Sequence, residues 1–176
     1  MVILYRMLLT SIQMTFNKWE NVLGEVIMKL RLKEIRQENK LTQRQLAKKL
    51  KISKSYYNYF ETGERIIPVM RLNDYCNKFN VSFDYVLGFQ EYPENPPKNY
   101  KIKPELISKR IKEIRKSREL TQKQLAELLN TSQSTISAYE SGKTLILTAF
   151  LYELCTKLNI SADYVIGRSN VINTII

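Results

Sequence analysis

Little in this chain is equipped for covalent chemistry. It holds no histidine, the commonest general base and metal ligand. Cys76 and Cys155 stand far apart, with no metal-ligand spacing and no disulfide framework. The five glycines form no phosphate-binding loop. The reading is a protein that is not an enzyme and needs no cofactor or metal. What remains is non-covalent chemistry, in short polar runs such as TQRQ (42–45), TQKQ (121–124) and KISKSYYNYFETGE (51–64). Amides, hydroxyls and ammonium groups can bond to base edges or phosphate oxygens. The net charge of +11 and pI of about 9.6 point to an anionic partner, nucleic acid before a membrane surface.

The polar runs come in pairs because the chain repeats itself. A shift of 79 residues lays 30–89 on 109–168 without a gap. RLKEIRQENKLTQRQLAKKL (31–50) falls on RIKEIRKSRELTQKQLAELL (110–129), and NVSFDYVLG (80–88) on NISADYVIG (159–167). More than a third of the paired positions are identical. Cys76 falls on Cys155, which suits two small buried residues in equivalent cores. The first copy carries 12 basic and 6 acidic residues, the second 10 and 6, so both attract phosphate. Between them QEYPENPPKNYKIKP (90–104) holds four of the five prolines and reads as an extended linker.

Each copy predicts about five short helices and no strand. Leu32 with Ile35, and Ile111 with Ile114, give a first helix its apolar turn. Thr42 and Thr121 open a second helix with a capping box. Its inner face is Leu46, Ala47 and Leu50, or Leu125, Ala126 and Leu129. Ser53 and Ser132 cap a third helix, closed by Gly63 or Gly142. Pro68 suits the first turn of a fourth, buried through Leu72, Tyr75, Cys76 and Phe79, or Leu151, Leu154, Cys155 and Leu158. A last helix opens at Ser82 or Ser161 and stops at Gly88 or Gly167. The turns KIS (51–53) and NTS (130–132) are so short that helices two and three must cross steeply, a helix-turn-helix.

LTQKQLAELLNTSQSTISAYESGK (120–143) resembles the helix-turn-helix of the XRE family, which includes the lambdoid phage repressors and Cro proteins; LTQRQLAKKLKISKSYYNYFETGE (41–64) is similar but less regular. The resemblance covers about 120 of the 176 residues. It implies an all-α chain of two tandem five-helix lambda-repressor-like DNA-binding domains joined by a Pro-rich linker. The boundaries would be 28–89, 90–104 and 105–168, with a leader over 1–27 and a tail over 169–176. It implies base contacts from Gln133, Ser134, Ser137 and Ala138 in the second copy, and from Lys54, Ser55, Asn58 and Tyr59 in the first. It implies DNA-backbone contacts at Thr42, Gln43, Thr121, Gln122 and Lys143. It also implies structural ion pairs, Arg36 with Glu61 and Arg115 with Glu140. The implied partner is double-stranded DNA and the implied role transcriptional regulation, chiefly repression, in the cytoplasm at the nucleoid. A homodimer, a toxin bound by an antitoxin-type regulator, and a protein-interaction module that no longer binds DNA stay open as alternatives.

Four features qualify this reading. The tight turn favours a left-handed residue, which Asn130 tolerates and Lys51 adopts at a cost of roughly 1 kcal/mol. The second copy has no proline matching Pro68. Tyr57 and Phe60 align with Ile136 and Tyr139 and belong to the core, which leaves Tyr56 and Tyr59 on or near the DNA side. Finally, LGEVIM (23–28) can be encoded by a purine-rich stretch resembling a ribosome-binding site, so Met28 is the expected start of translation; the rival is a leader helix covering a partner surface. No run is long enough to span a membrane. An extended 15-residue linker reaches roughly 50 Å, enough for two reading helices about 34 Å apart in successive major grooves.

Overall fold

The computed structural model describes residues 28, 30–94 and 96–172; the leader and the question of Met1 or Met28 lie outside them. The first copy folds as α1 (Leu32–Glu38), α2 (Gln43–Lys49), α3 (Lys54–Thr62), α4 (Val69–Phe79) and α5 (Phe83–Val86). The second folds as α6 (Pro104–Ser117), α7 (Gln122–Leu128), α8 (Gln133–Glu140), α9 (Thr148–Leu158) and α10 (Ala162–Ile166). No strand occurs among the described residues.

Local chemistry sets the helix starts. Thr42 and Thr121 each cap their helix through a full capping box, closed by Gln45 and Gln124. Ser53, Ser132, Ser82 and Ser161 each accept a bond from the backbone N–H three residues on. Lys51 (φ 55°) and Asn130 (φ 49°) both take the left-handed conformation at the tight turn. Pro68 sits one place earlier than expected, capping α4 rather than starting it. Leu147 takes the same extended backbone before α9 (ψ 148° against 145°), so the missing proline does not alter that approach.

The apolar faces of both copies are buried as one continuous cluster, with Leu46, Tyr57, Leu72 and Cys76 in the first copy and Leu125, Ile136, Leu151 and Cys155 in the second. Phe79 is only half-buried, unlike its counterpart Leu158. Burial pushes both thiols well above their ordinary pKa, so they are inert packing groups.

The two copies are packed against each other, not held at arm's length. Asp84 in α5 accepts from the Ala162 N–H at 2.6 Å and the Ser161 hydroxyl at 2.5 Å, at the start of α10. Asp163 in α10 accepts from the Asp84 N–H at 2.9 Å, at the start of α5. Each helix start is thus capped by the equivalent aspartate of the other copy, the reciprocal contact expected of a two-fold axis. The Thr148 hydroxyl donates to the Ile67 carbonyl across the same seam.

The pairing is only approximately symmetric. Phe89 stacks on Tyr152 with centroids 4.9 Å apart. The equivalent pair, Arg168 and Asn73, makes a hydrogen bond of 2.9 Å. Arg168 also reaches Asn77 at 3.0 Å.

The linker, expected to be an extended tether, is docked. The Tyr100 carbonyl accepts from Asn73 and Asn77, its N–H donates back to Asn77, and its hydroxyl donates to the Ile166 carbonyl. One residue of the linker therefore bonds to both copies. The spacing of the copies is set by their seam, not by the reach of an extended chain.

Candidate nucleic-acid interface

In each copy the second and third helices are joined through the left-handed residue, which leaves the start of the third helix on the surface. Lys54 and Ser55 are exposed at the start of α3; Asn58 and Tyr59 follow one turn later, half-buried. Gln133, Ser134 and Ser137 are exposed on α8, and Ala138 is half-buried. These eight predicted base-contact residues therefore lie on the outer sides of two equivalent helices, four on each. Thr42 and Thr121 are exposed at the starts of α2 and α7, and Lys143 is exposed just beyond α8. Beside α3 a groove is lined by Arg36, Thr42, Gln43, Arg44 and Lys54, with Arg44 and Lys54 exposed. Cations and helix-start amides in such a place suit phosphate oxygens.

The third helix is fixed from behind by an ion pair. Arg36 donates through Nε to Glu61 at 2.5 Å and through a second nitrogen at 3.2 Å. Arg115 does the same to Glu140 at 2.5 and 3.0 Å. Both carboxylates are only 3% exposed, so each pair is fork-shaped and shielded. The arginines also donate to the Leu41 and Leu120 carbonyls, which ties the end of the first helix to the start of the second. Burial alone would raise both carboxyls. The hydrogen bonds from arginine and glutamine, with Tyr57 in the first copy, outweigh it and hold them below the ordinary value.

Gln43 and Gln122 are less free than surface readers would be. Gln43 Nε2 donates to Glu61 at 2.8 Å and to Asn58 Oδ1 at 2.9 Å. Gln122 Nε2 donates to Glu140 at 2.9 Å. Both side chains are half-buried and set by the ion pair, while their backbone stays at the helix start. The sequence reading missed this second layer, although an identical Gln and Glu at 18-residue spacing in both copies carried its signal.

The two undecided tyrosines separate. Tyr56 lies edge-on to Phe60 at 4.6 Å and packs against the core. Tyr59 is half-buried, with the Arg65 guanidinium 4.9 Å from its ring centroid.

The helix-turn-helix family profile matches this chain twice, at residues 32–86 and 111–165. Among curated proteins the chain is similar to antitoxin PezA of Streptococcus pneumoniae serotype 4 (strain ATCC BAA-334 / TIGR4), 31% identical over 70 residues, covering 40% of this chain and 44% of the relative. It is 38% identical over 64 residues to the uncharacterized HTH-type transcriptional regulator YobD of Bacillus subtilis (strain 168), covering 36% and 57%. It is 37% identical over 65 residues to the HTH-type transcriptional regulator ImmR of the same organism, covering 37% and 51%. The chain thus spans about half the length of the curated relatives it matches. With ten helices among the described residues and both profile matches lying on the two packed units, the chain belongs to the XRE-type helix-turn-helix family, with two copies of its domain in tandem.

Proposed function

We propose that this chain binds double-stranded DNA sequence-specifically through α3 and α8 and regulates transcription, chiefly as a repressor occupying a promoter or operator. The observation that carries the reading is the doubled arrangement of exposed polar residues on a third helix, each fixed from behind by a buried arginine–glutamate pair. The net charge of +11 supports it. Base contacts fall to Lys54, Ser55, Asn58 and Tyr59 in one copy and Gln133, Ser134, Ser137 and Ala138 in the other. Thr42, Gln43, Thr121, Gln122 and Lys143 hold the phosphates. The seam makes one chain a covalent substitute for a dimer, with an operator of two unlike half-sites. The function is binding, not catalysis, and its place is the cytoplasm, at the nucleoid. No helix of the described residues is long and apolar enough to cross a membrane.

A second reading is favoured by the similarity to a protein named an antitoxin. In it one copy also contacts a toxin. DNA affinity measured across a range of salt tests the main reading. Phosphate contacts release counterions, so affinity falls steeply as salt rises. A flat salt dependence, or no binding to any duplex, contradicts it and leaves a protein-interaction module.

A further inference from the structure

Glu61 imposes a direction on the hydrogen bonds around it. Its carboxylate can only accept. It takes two bonds from Arg36, one from the Tyr57 hydroxyl at 2.6 Å and one from Gln43 at 2.8 Å. Gln43 must therefore turn its NH2 group, not its carbonyl, toward Glu61. The same NH2 group lies 2.9 Å from the Asn58 side chain. Two donors cannot bond to each other, so Asn58 turns its carbonyl to Gln43. Its own NH2 group then has no partner among the described residues, and the residue is half-buried on α3.

Resting on the DNA-binding reading above, we propose that Asn58 is a specificity-determining residue oriented by Gln43 as a donor, and that it selects a G·C pair in the half-site under the first copy. An unconstrained asparagine prefers adenine, because adenine offers an acceptor at N7 beside a donor at N6. That match draws on the asparagine carbonyl, one of whose two lone pairs is taken by Gln43, and the Gln43 bond fixes the direction of the amide. Guanine alone presents two adjacent major-groove acceptors, N7 and O6. Lys54, one turn earlier on α3, is also a pure donor and favours the same base.

The second copy lacks this constraint. Gln122 bonds to Glu140 as Gln43 bonds to Glu61, but Ser137 stands where Asn58 would. A serine hydroxyl rotates and can donate or accept. Gln133 replaces Lys54 and can match adenine. The two half-sites therefore differ in base composition even though the helices are equivalent.

The test is selection of bound duplexes from a random pool by the full chain, as wild type, Asn58→Ser and Gln43→Ala. The position under Asn58 is the one whose preference changes in Asn58→Ser. In the wild type it is expected to be G·C, favoured about five-fold or more over A·T, the worth of one net hydrogen bond. Gln43→Ala frees the amide to turn, so A·T rises at that position while the other half-site keeps its preferences. A·T there in the wild type, or an unmoved preference in Gln43→Ala, overturns the inference alone. A pool with no enriched sequence overturns the DNA-binding reading and this inference together.

Discussion

Asp84 and Asp163, 79 residues apart, each cap the start of the short helix that carries the other. Both are buried, at 3% and 5% exposure, so their bonds are shielded from water. Replacing Asp84 by alanine leaves the Ala162 N–H and the Ser161 hydroxyl buried without an acceptor. The expected loss is about 2–4 kcal/mol, from one or two orphaned donors. Urea unfolding of the full chain measures it, and a loss below that of a surface mutation contradicts the capping role. Asp84→Asn, which keeps one acceptor oxygen, loses less.

The same pair predicts a pH dependence. Burial and the facing Asp84 carboxylate push the Asp163 pKa up to about 7, although backbone N–H groups and Arg168 oppose the shift. Arg168 Nε lies 3.3 Å from Asp163 but is not aligned for a hydrogen bond, which limits its help. Asp84 is raised too, first by burial, and the buried Cys76 and Cys155 nearby stay neutral. Between the ordinary value of 3.8 and about 7, the folded chain holds a proton that the unfolded chain has released. Stability from this group therefore falls as pH rises through that window and levels off above it. Asp163→Asn keeps an acceptor for the Asp84 N–H but cannot titrate. Unfolding midpoints at pH 5 and pH 8 should differ more in the wild type than in the variant; equal differences contradict the assignment.

The ion pairs behave in the opposite sense. Glu61 and Glu140 sit below their ordinary value, so their stabilisation is present at neutral pH and lost as the pH falls. Glu61→Ala leaves Arg36 without its carboxylate and should cost about 3 kcal/mol. Glu140→Ala should cost about 1 kcal/mol less, because Ile136 replaces Tyr57 and one hydrogen bond is missing there. Equal losses in denaturant titrations contradict this ranking.

The docked linker gives a further contrast. Gly63 and Gly167 both have a left-handed backbone, at φ 77° and 90°. A Cβ on Gly63 meets nothing within 4 Å, whereas on Gly167 it meets Leu106 Cδ2 at 2.7 Å and the Tyr100 hydroxyl. Gly63→Ala should cost about 1 kcal/mol, the backbone strain alone. Gly167→Ala should cost more and should expose the linker to protease near Tyr100. Equal costs with no new cleavage would show that Tyr100 does not hold the linker.

Much of this was legible in the sequence because it is local. Thr42, Ser53, Thr121 and Ser132 announce helix starts through their own side chains, and Asn130 announces a left-handed turn. The arginine–glutamate pairs spanning 25 residues came only through the family resemblance, which fixes positions that spacing alone does not. The seam was not legible. Asp84 and Asp163 recur in the repeat, but nothing local says that each serves the other copy. The linker misled for the same reason: its prolines report a stiff backbone, while its docking depends on Asn73 and Asn77 in a distant helix. Tyr56 looked like a reader because Thr135 aligns with it, yet Phe60 draws its ring onto the core.

The central claim is that one chain reads two half-sites, one under each copy. Footprinting of a selected operator by the full chain tests it most directly, comparing wild type with Lys54→Ala/Ser55→Ala. These residues are exposed, so the fold should survive their loss. The account predicts protection of both half-sites by the wild type and loss of protection over the first copy's half-site alone in the variant. An unchanged footprint would contradict it and reduce the first copy to a scaffold for the second.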